Sequence, residues 1–173
     1  MDNLVQRAKR QDQDAFVELI RMHTVSMYKV AKAILENDED VADAIQETIL
    51  TCWAKIGTLK KERYFKTWMI RILINHCNGI YRQREKMITK ETLPESGKVE
   101  EQYATVEWQE FLKGLEEKYR IVVMLYYVEG FKIREIAEIL QISENTVSTR
   151  LSAARKKMEQ QYQKQPSRIR QIV

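Results

Sequence analysis

Apolar residues recur at helical spacing through the first half of the chain and predict three helices. The first is predicted to start at Asp14 as its N-cap. Its inner face comprises Phe16, Leu19, Ile20, His23, Met27, Val30, Ala31 and Ile34. The second follows the acidic stretch 36–40 and stops at Gly57; its apolar residues are Val41, Ala44, Ile45, Ile49, Cys52, Trp53 and Ile56. The third runs from Phe65 to about Lys86, with Phe65, Trp68, Met69, Ile72 and Ile80 facing inward.

The helical spacing stops after the third helix and resumes near residue 105. Residues 87–104 contain Pro94, Gly97 and several glutamates, a composition that predicts a flexible acidic linker. Beyond residue 162 the chain is polar and basic and contains Pro166. The sequence therefore predicts an all-α protein with two small helical domains, 1–86 and 105–162, joined by the linker and followed by a tail at 163–173.

Residues 130–158 have the pattern of a helix-turn-helix. The first of its two helices has an apolar face made of Ile133, Ile136, Ala137 and Leu140. The apolar face of the second is Val147, Leu151, Ala154 and Met158. Ser143 lies between them and is a suitable N-cap, because its hydroxyl can accept a hydrogen bond from an amide at the start of the second helix.

The outer face of that second helix is short, polar and cationic, and no carboxylate occurs between Glu144 and Glu159. A helix in the DNA major groove needs small hydrogen-bonding groups for base edges and cations for phosphates. The candidate DNA-binding residues are Asn145, Thr146, Ser148, Thr149, Ser152, Arg155 and Lys156. The alternative is an ordinary helical hairpin with a solvated outer face. Solvated faces usually mix both charge signs, which favours the DNA-binding interpretation.

Charge is segregated along the chain, although the net charge is only +4. Residues 1–57 hold 7 basic and 10 acidic side chains, and residues 58–90 hold 9 and 2. Residues 91–119 hold 3 and 8, and residues 120–173 hold 10 and 5. Two separate basic segments are typical of a protein that contacts nucleic acid at two places, although chance segregation gives the same counts.

The sequence offers no chemistry for catalysis or metal binding. Cys52 and Cys77 are isolated, and His76 and His23 do not complete a zinc-ligand spacing, so we predict buried thiols. No nucleophile–base pair or phosphate-binding loop is recognisable, and we expect neither enzymatic activity nor a cofactor. The N-terminus lacks an apolar signal segment and no run is long enough to span a membrane, so we expect a soluble, cytoplasmic protein.

Three segments together resemble the extracytoplasmic-function group of bacterial sigma factors. EDVADAIQETILTCW (39–53) is similar to the family's acidic docking helix, and FKTWMIRILINHCN (65–78) to its promoter-melting helix. Residues 119–158 are similar to its fourth region. The resemblance implies a promoter-specificity subunit that joins core RNA polymerase. It also implies minus-ten recognition by the first domain, minus-thirty-five recognition by the second, and control by an anti-sigma factor that can hold the protein at the membrane.

The resemblance also implies roles for individual residues. The surface that docks on core polymerase would be Asp40, Asp43, Gln46 and Glu47, for which the alternative is a solvated helix face. The loop 59–64 would capture a flipped base and the third helix would read bases. The minus-ten residues are Leu59, Lys60, Lys61, Arg63, Tyr64, Arg71, Asn75, Asn78 and Arg82. Departures from the family pattern are Gly79 in place of a frequent Asp, and Ser148 and Ala153 where relatives often have Arg or Lys.

Two other functions remain open at this stage. A conventional helix-turn-helix regulator would bind operator DNA, as a dimer and without core polymerase. A protein-interaction module would bind no DNA. The basic segment 58–90 and the acidic helix before it favour the sigma-factor interpretation.

Overall fold

The computed structural model describes residues 1–88, 112 and 114–164. Its α-helices are α1 (Asp2–Lys9), α2 (Gln13–Lys32), α3 (Asp38–Lys55), α4 (Phe65–Ile88), α5 (Glu117–Val123), α6 (Ile133–Leu140) and α7 (Glu144–Lys164). Two 3-10 turns, Ile56–Thr58 and Glu62–Tyr64, lie between α3 and α4, and a π-turn, Met124–Val128, continues α5. Every regular element in the described ranges is helical, which confirms the all-α prediction.

The chain divides into two compact units, residues 1–99 and residues 100–173. Helices α1–α4 form the first unit and α5–α7 the second. Most of the predicted linker 87–104 lies outside the described residues; Met87 and Ile88 belong to α4. Most of the tail 163–173 also lies outside them, whereas residues 163 and 164 end α7.

The start of the first unit differs from the prediction, because α1 was not foreseen and Asp14 is not the N-cap. Asp12 caps α2: its carboxylate accepts from the backbone N–H of Ala15 at 3.0 Å and pairs with Arg7 at 2.8 Å. The Ala15 hydrogen bond and then Arg7 hold the pKa of Asp12 below its ordinary value. Gln11 just before it adopts a left-handed conformation (φ 66°), which turns the chain between the two helices.

Helices α2, α3 and α4 enclose the core of the first unit. The predicted face of α2 is buried apart from Ile20, which is half-buried. On α4 the buried residues are Phe65, Met69, Ile70, Leu73, Ile74 and Cys77. Trp68, Ile72 and Ile80, predicted to face inward, are only half-buried. The buried face is displaced because α4 packs on both α2 and α3.

The stripe of α3 contains a polar residue that apolar periodicity does not reveal. Thr48 is fully buried, and its hydroxyl donates to the Ala44 carbonyl at 2.6 Å. This bond satisfies the hydroxyl inside the helix, so the threonine can occupy a core position. Three predicted stripe residues, Ile45, Ile49 and Trp53, are half-buried instead.

The second unit contains the predicted helix-turn-helix. Gly130 (φ 72°) ends the α5 segment, and Gln141 (φ 56°) ends α6 in a left-handed conformation. The Ile142 N–H then returns to the Ala137 carbonyl at 3.1 Å, which closes the turn before α7. The two helices pack on each other, and their buried residues are Ile136, Ala137, Ile139, Val147, Leu151 and Ala154. Ile139 was absent from the predicted face, while Ile133, Leu140 and Met158 are half-buried.

Candidate nucleic-acid interface

The start of α7 is fixed by the predicted cap. The Ser143 hydroxyl oxygen accepts from the backbone N–H of Thr146 at 3.0 Å, and the two hydroxyls lie 2.8 Å apart. Thr146 is therefore half-buried and engaged with its own cap. Its hydroxyl is therefore less available to a ligand.

Beyond the cap, the candidate residues form one exposed stripe along α7. Its members are Asn145, Ser148, Thr149, Ser152, Arg155 and Lys156. Their spacing places them on a single face of the helix, opposite the buried Val147, Leu151 and Ala154. Small polar groups occupy the first turns and both cations the later ones, which suits base edges near the helix start and phosphates beyond it.

Lys157 follows Arg155 and Lys156 directly in the sequence but lies on a different side of α7. Its ammonium pairs with Glu116 and lies 4.6 Å from the centre of the Tyr119 ring, at the beginning of α5. Lys157 and then Lys118 lower the pKa of Glu116. Sequence reasoning missed this contact because Glu116 and Lys157 are 41 residues apart and no spacing rule connects them.

The loop 59–64 separates its six residues into inward and outward side chains. Leu59 is 6% exposed and belongs to the core of the first unit, so its side chain is not on the surface predicted to take a base. Tyr64 is 39% exposed, and the Arg63 guanidinium lies 4.8 Å from the centre of its ring. Lys60 and Lys61 are exposed beside them. Of the two candidates for stacking on a base, only Tyr64 is accessible.

The outer face of α4 carries the remaining minus-ten candidates. Arg71, Asn75 and Arg82 are exposed and Asn78 is half-buried, and their spacing places all four on one face. Gly79 is exposed beside this face, and a Cβ added there would meet no atom within 4 Å. The glycine therefore does not serve a close packing contact.

The candidate docking residues on α3 comprise three exposed residues and one buried residue. Asp43, Gln46 and Glu47 are exposed on adjacent positions of one face. Asp40 is 7% exposed, and its carboxylate accepts from the Arg84 guanidinium at 2.7 Å. Asp40 thus joins α3 to the end of α4, and most of its surface is withdrawn from the predicted docking face.

Other chemistry is limited in the described part of the chain. Burial raises the pKa of both thiols, Cys52 and Cys77, to about 12, so they stay protonated near neutral pH. No group of three or more His, Cys, Asp or Glu residues that could hold a metal ion occurs among the described residues. Nor does any helix within the described ranges have the length and apolar character needed to cross a bilayer.

Two family profiles match the chain, one in each compact unit. The profile described as Sigma-70 region 2 matches residues 13–87. The profile described as Sigma-70, region 4 matches residues 105–158. Neither is a profile of a catalytic family.

Similar proteins with curated descriptions match nearly end to end. The ECF RNA polymerase sigma factor SigW of Bacillus subtilis is 27% identical, over 91% of this chain and 94% of SigW. The RNA polymerase sigma factor SigV of the same organism is 29% identical, over 92% of this chain and 98% of SigV.

Two solved structures share the fold. One is CnrH in complex with the cytosolic domain of CnrY, with a TM-score of 0.71 and 23% identity over 94% of this chain and 96% of that one. The other is the sigma factor RpoE in complex with the anti-sigma factor NepR from Bartonella quintana. Its TM-score is 0.74, with 22% identity over 84% of this chain and 94% of that one.

Proposed function

Because the chain belongs to the sigma-70 family, in the extracytoplasmic-function group of RNA polymerase sigma factors, we propose that it directs core polymerase to its promoters through the surfaces described above. The observation that carries this proposal is the match to region 2 on the first unit and to region 4 on the second. A conventional operator-binding regulator would account for the second match alone.

The docking surface on core polymerase would be Asp43, Gln46 and Glu47. These three are exposed on one face of α3 and offer carboxylate and amide groups to a basic partner. Asp40, included in the predicted docking surface, contributes in another way. Its bond to Arg84 joins α3 to α4 and would stabilise the helix that presents the docking surface.

The minus-ten element would contact the loop 59–64 and α4. Tyr64 offers a ring face for stacking on an unpaired base, and Lys60, Lys61 and Arg63 lie beside it for phosphates. Arg71, Asn75, Asn78 and Arg82 would continue the contact along α4. Leu59 supports the loop from the core instead of touching DNA.

The minus-thirty-five element would lie against the exposed stripe of α7. Asn145, Ser148, Thr149 and Ser152 would face base edges, and Arg155 and Lys156 would contact phosphates. Thr146 contributes mainly through its bond to Ser143, which fixes the helix start.

An anti-sigma factor is the expected regulator. Among the solved structures that share this fold, CnrH is in complex with the cytosolic domain of CnrY and RpoE with the anti-sigma factor NepR. By analogy, this chain would work in the cytoplasm and be held inactive by such a partner, which can itself be bound to the membrane.

Run-off transcription from a randomised promoter library tests the proposal. Core polymerase with this protein should enrich promoters that share two elements, whereas core polymerase alone should not. Specific binding of the free protein to palindromic DNA, with no transcripts above the core-only level, would instead identify an operator-binding regulator.

A further inference from the structure

Helix α1 packs beside the loop 59–64, and its Lys9 side chain bonds to two residues of the loop. The Lys9 ammonium donates to the carbonyl oxygen of Leu59 at 2.9 Å and to the carboxylate of Glu62 at 3.1 Å. Leu59 begins the loop and Glu62 begins its 3-10 turn. One cation therefore binds the loop at a backbone carbonyl and at a side-chain carboxylate, 50 and 53 residues away along the chain.

The contact is made from a helix that is packed on α2, and its two side chains are only partly exposed to water. Val5 and Ala8 are fully buried where α1 packs on α2. The side chains of Lys9 and Glu62 are 24% and 26% exposed, so the protein partly shields this pair from solvent. Hydrogen bonds from its own backbone N–H and from Lys9 lower the pKa of Glu62, so this partner stays charged near neutral pH.

The residues that Lys9 holds alternate with those that would touch DNA. Leu59 and Glu62 face inward, whereas Lys60, Lys61 and Arg63 are exposed and Tyr64 is 39% exposed. Fixing the inward residues limits the directions available to the outward ones. A loop that is already ordered loses less conformational entropy on binding and therefore binds more tightly.

We propose that Lys9 is a positioning residue for promoter melting: it holds the loop 59–64 so that Tyr64 is ready to receive an unpaired base. The proposal deepens the proposed function and rests on it for the role of Tyr64. Lys9 itself touches no DNA in this scheme. Its effect passes through the Leu59 carbonyl and the Glu62 carboxylate.

The first test needs no DNA and compares Lys9→Met with Arg10→Met in the full chain. Arg10 is the next residue and is exposed, so both variants lose one positive charge but only the first loses the contact. Amide hydrogen exchange at residues 59–64 should accelerate about 10-fold in Lys9→Met and stay within about twofold in Arg10→Met. Unchanged exchange in Lys9→Met would overturn the proposal.

Glu62→Met is the second variant, in case Lys9→Met fails to fold; methionine keeps the length of the side chain but cannot accept from the Lys9 ammonium. It removes the ion pair and leaves the Lys9–Leu59 hydrogen bond, so exchange should accelerate by about threefold. Exchange at the wild-type rate in this variant would show that the Glu62 end of the loop is held by something other than Lys9, which contradicts the proposal.

The second test measures base capture by the assembled holoenzyme. The probe is a single-stranded oligonucleotide carrying the minus-ten element of a promoter selected from the library, either intact or abasic at one position at a time. Wild type and Arg10→Met should bind the intact strand more tightly than the strand that is abasic at one particular position. In Lys9→Met this ratio of affinities should fall about fivefold, while the affinity for core polymerase should not change. Lys9→Arg, which keeps the charge, should restore part of it.

The Tyr64→Ala variant separates the two proposals. If wild type and Tyr64→Ala show the same preference for intact over abasic strands, the assignment of Tyr64 to base capture is wrong. If Tyr64→Ala loses the preference and Lys9→Met retains it in full, base capture stands and the positioning role of Lys9 is wrong.

Discussion

The two units hold their candidate DNA-binding residues in different ways. In the second unit, Ser143 caps α7 within three residues and the buried stripe of the same helix orients the exposed one. In the first unit, the loop 59–64 is bonded to Lys9 and the end of α4 to Asp40, across 50 and 44 residues. The start of the candidate helix α7 is thus fixed by a local contact, whereas the candidate loop is bonded to a distant segment of the chain.

The largest expected effect is on the proposed docking surface of α3. Asp43→Lys with Glu47→Lys should abolish co-purification with core polymerase, because two exposed carboxylates become cations in a surface expected to meet a basic partner. Circular dichroism should remain native. Asp14→Lys with Glu18→Lys, two exposed carboxylates four residues apart on α2, is the matched control. Retained co-purification would remove this docking assignment.

Next in size is the long-range contact of Asp40. Asp40→Ala should lower the free energy of unfolding of the first unit by about 2 kcal/mol, since it removes a hydrogen bond between two charged groups whose carboxylate is buried. Hydrogen exchange of the second unit should not change. A loss confined to polymerase binding, at native stability, would instead make Asp40 a docking residue.

The exposed stripe of α7 should separate base contacts from phosphate contacts. Ser152→Ala should change the preferred minus-thirty-five sequence, with roughly 1–3 kcal/mol of discrimination lost at one position. Arg155→Ala should weaken binding equally for all sequences and reduce the salt slope by about 0.9. Binding to promoter variants at several salt concentrations measures both effects. Identical behaviour of the two variants would contradict the division of roles along the helix.

The local cap of α7 should have a smaller effect than Asp40. Ser143→Ala removes the acceptor for the Thr146 N–H and should lower the free energy of unfolding of the second unit by about 1 kcal/mol. Hydrogen exchange of the second unit measures this change in the free energy of unfolding, and the exposed Ser148→Ala is the control. If Ser143→Ala lowered the free energy of unfolding as much as Asp40→Ala does, the expected difference between local and long-range contacts would be wrong.

The smallest effect is a gain. Gly79→Ala on α4 should stabilise the first unit by roughly 0.8–1 kcal/mol, because the added Cβ meets no neighbouring atom and alanine favours the helix. Denaturant unfolding measures it. If the variant were less stable than wild type, the expected gain from the higher helix propensity of alanine would be wrong at this position.

The same contrast explains what sequence reasoning recovered. Ser143 carries a local signal, and it was assigned correctly as the cap of α7. Helix α1 was missed because Val5 and Ala8 are its only buried residues among many charges. The loop support was missed because Lys9 and Glu62 are far apart in sequence, and Thr48 because a polar residue does not mark an apolar stripe.

The hydrogen bond of Thr149 restricts what it can offer to a base pair. Its hydroxyl donates to the Asn145 carbonyl at 2.8 Å, so the proton is already used and an acceptor lone pair and a methyl group remain. Guanine presents only acceptors in the major groove, whereas cytosine and adenine present an amino group and thymine presents a methyl group. If α7 lies in the groove as proposed, Thr149 should favour cytosine, adenine or thymine at its position and disfavour guanine.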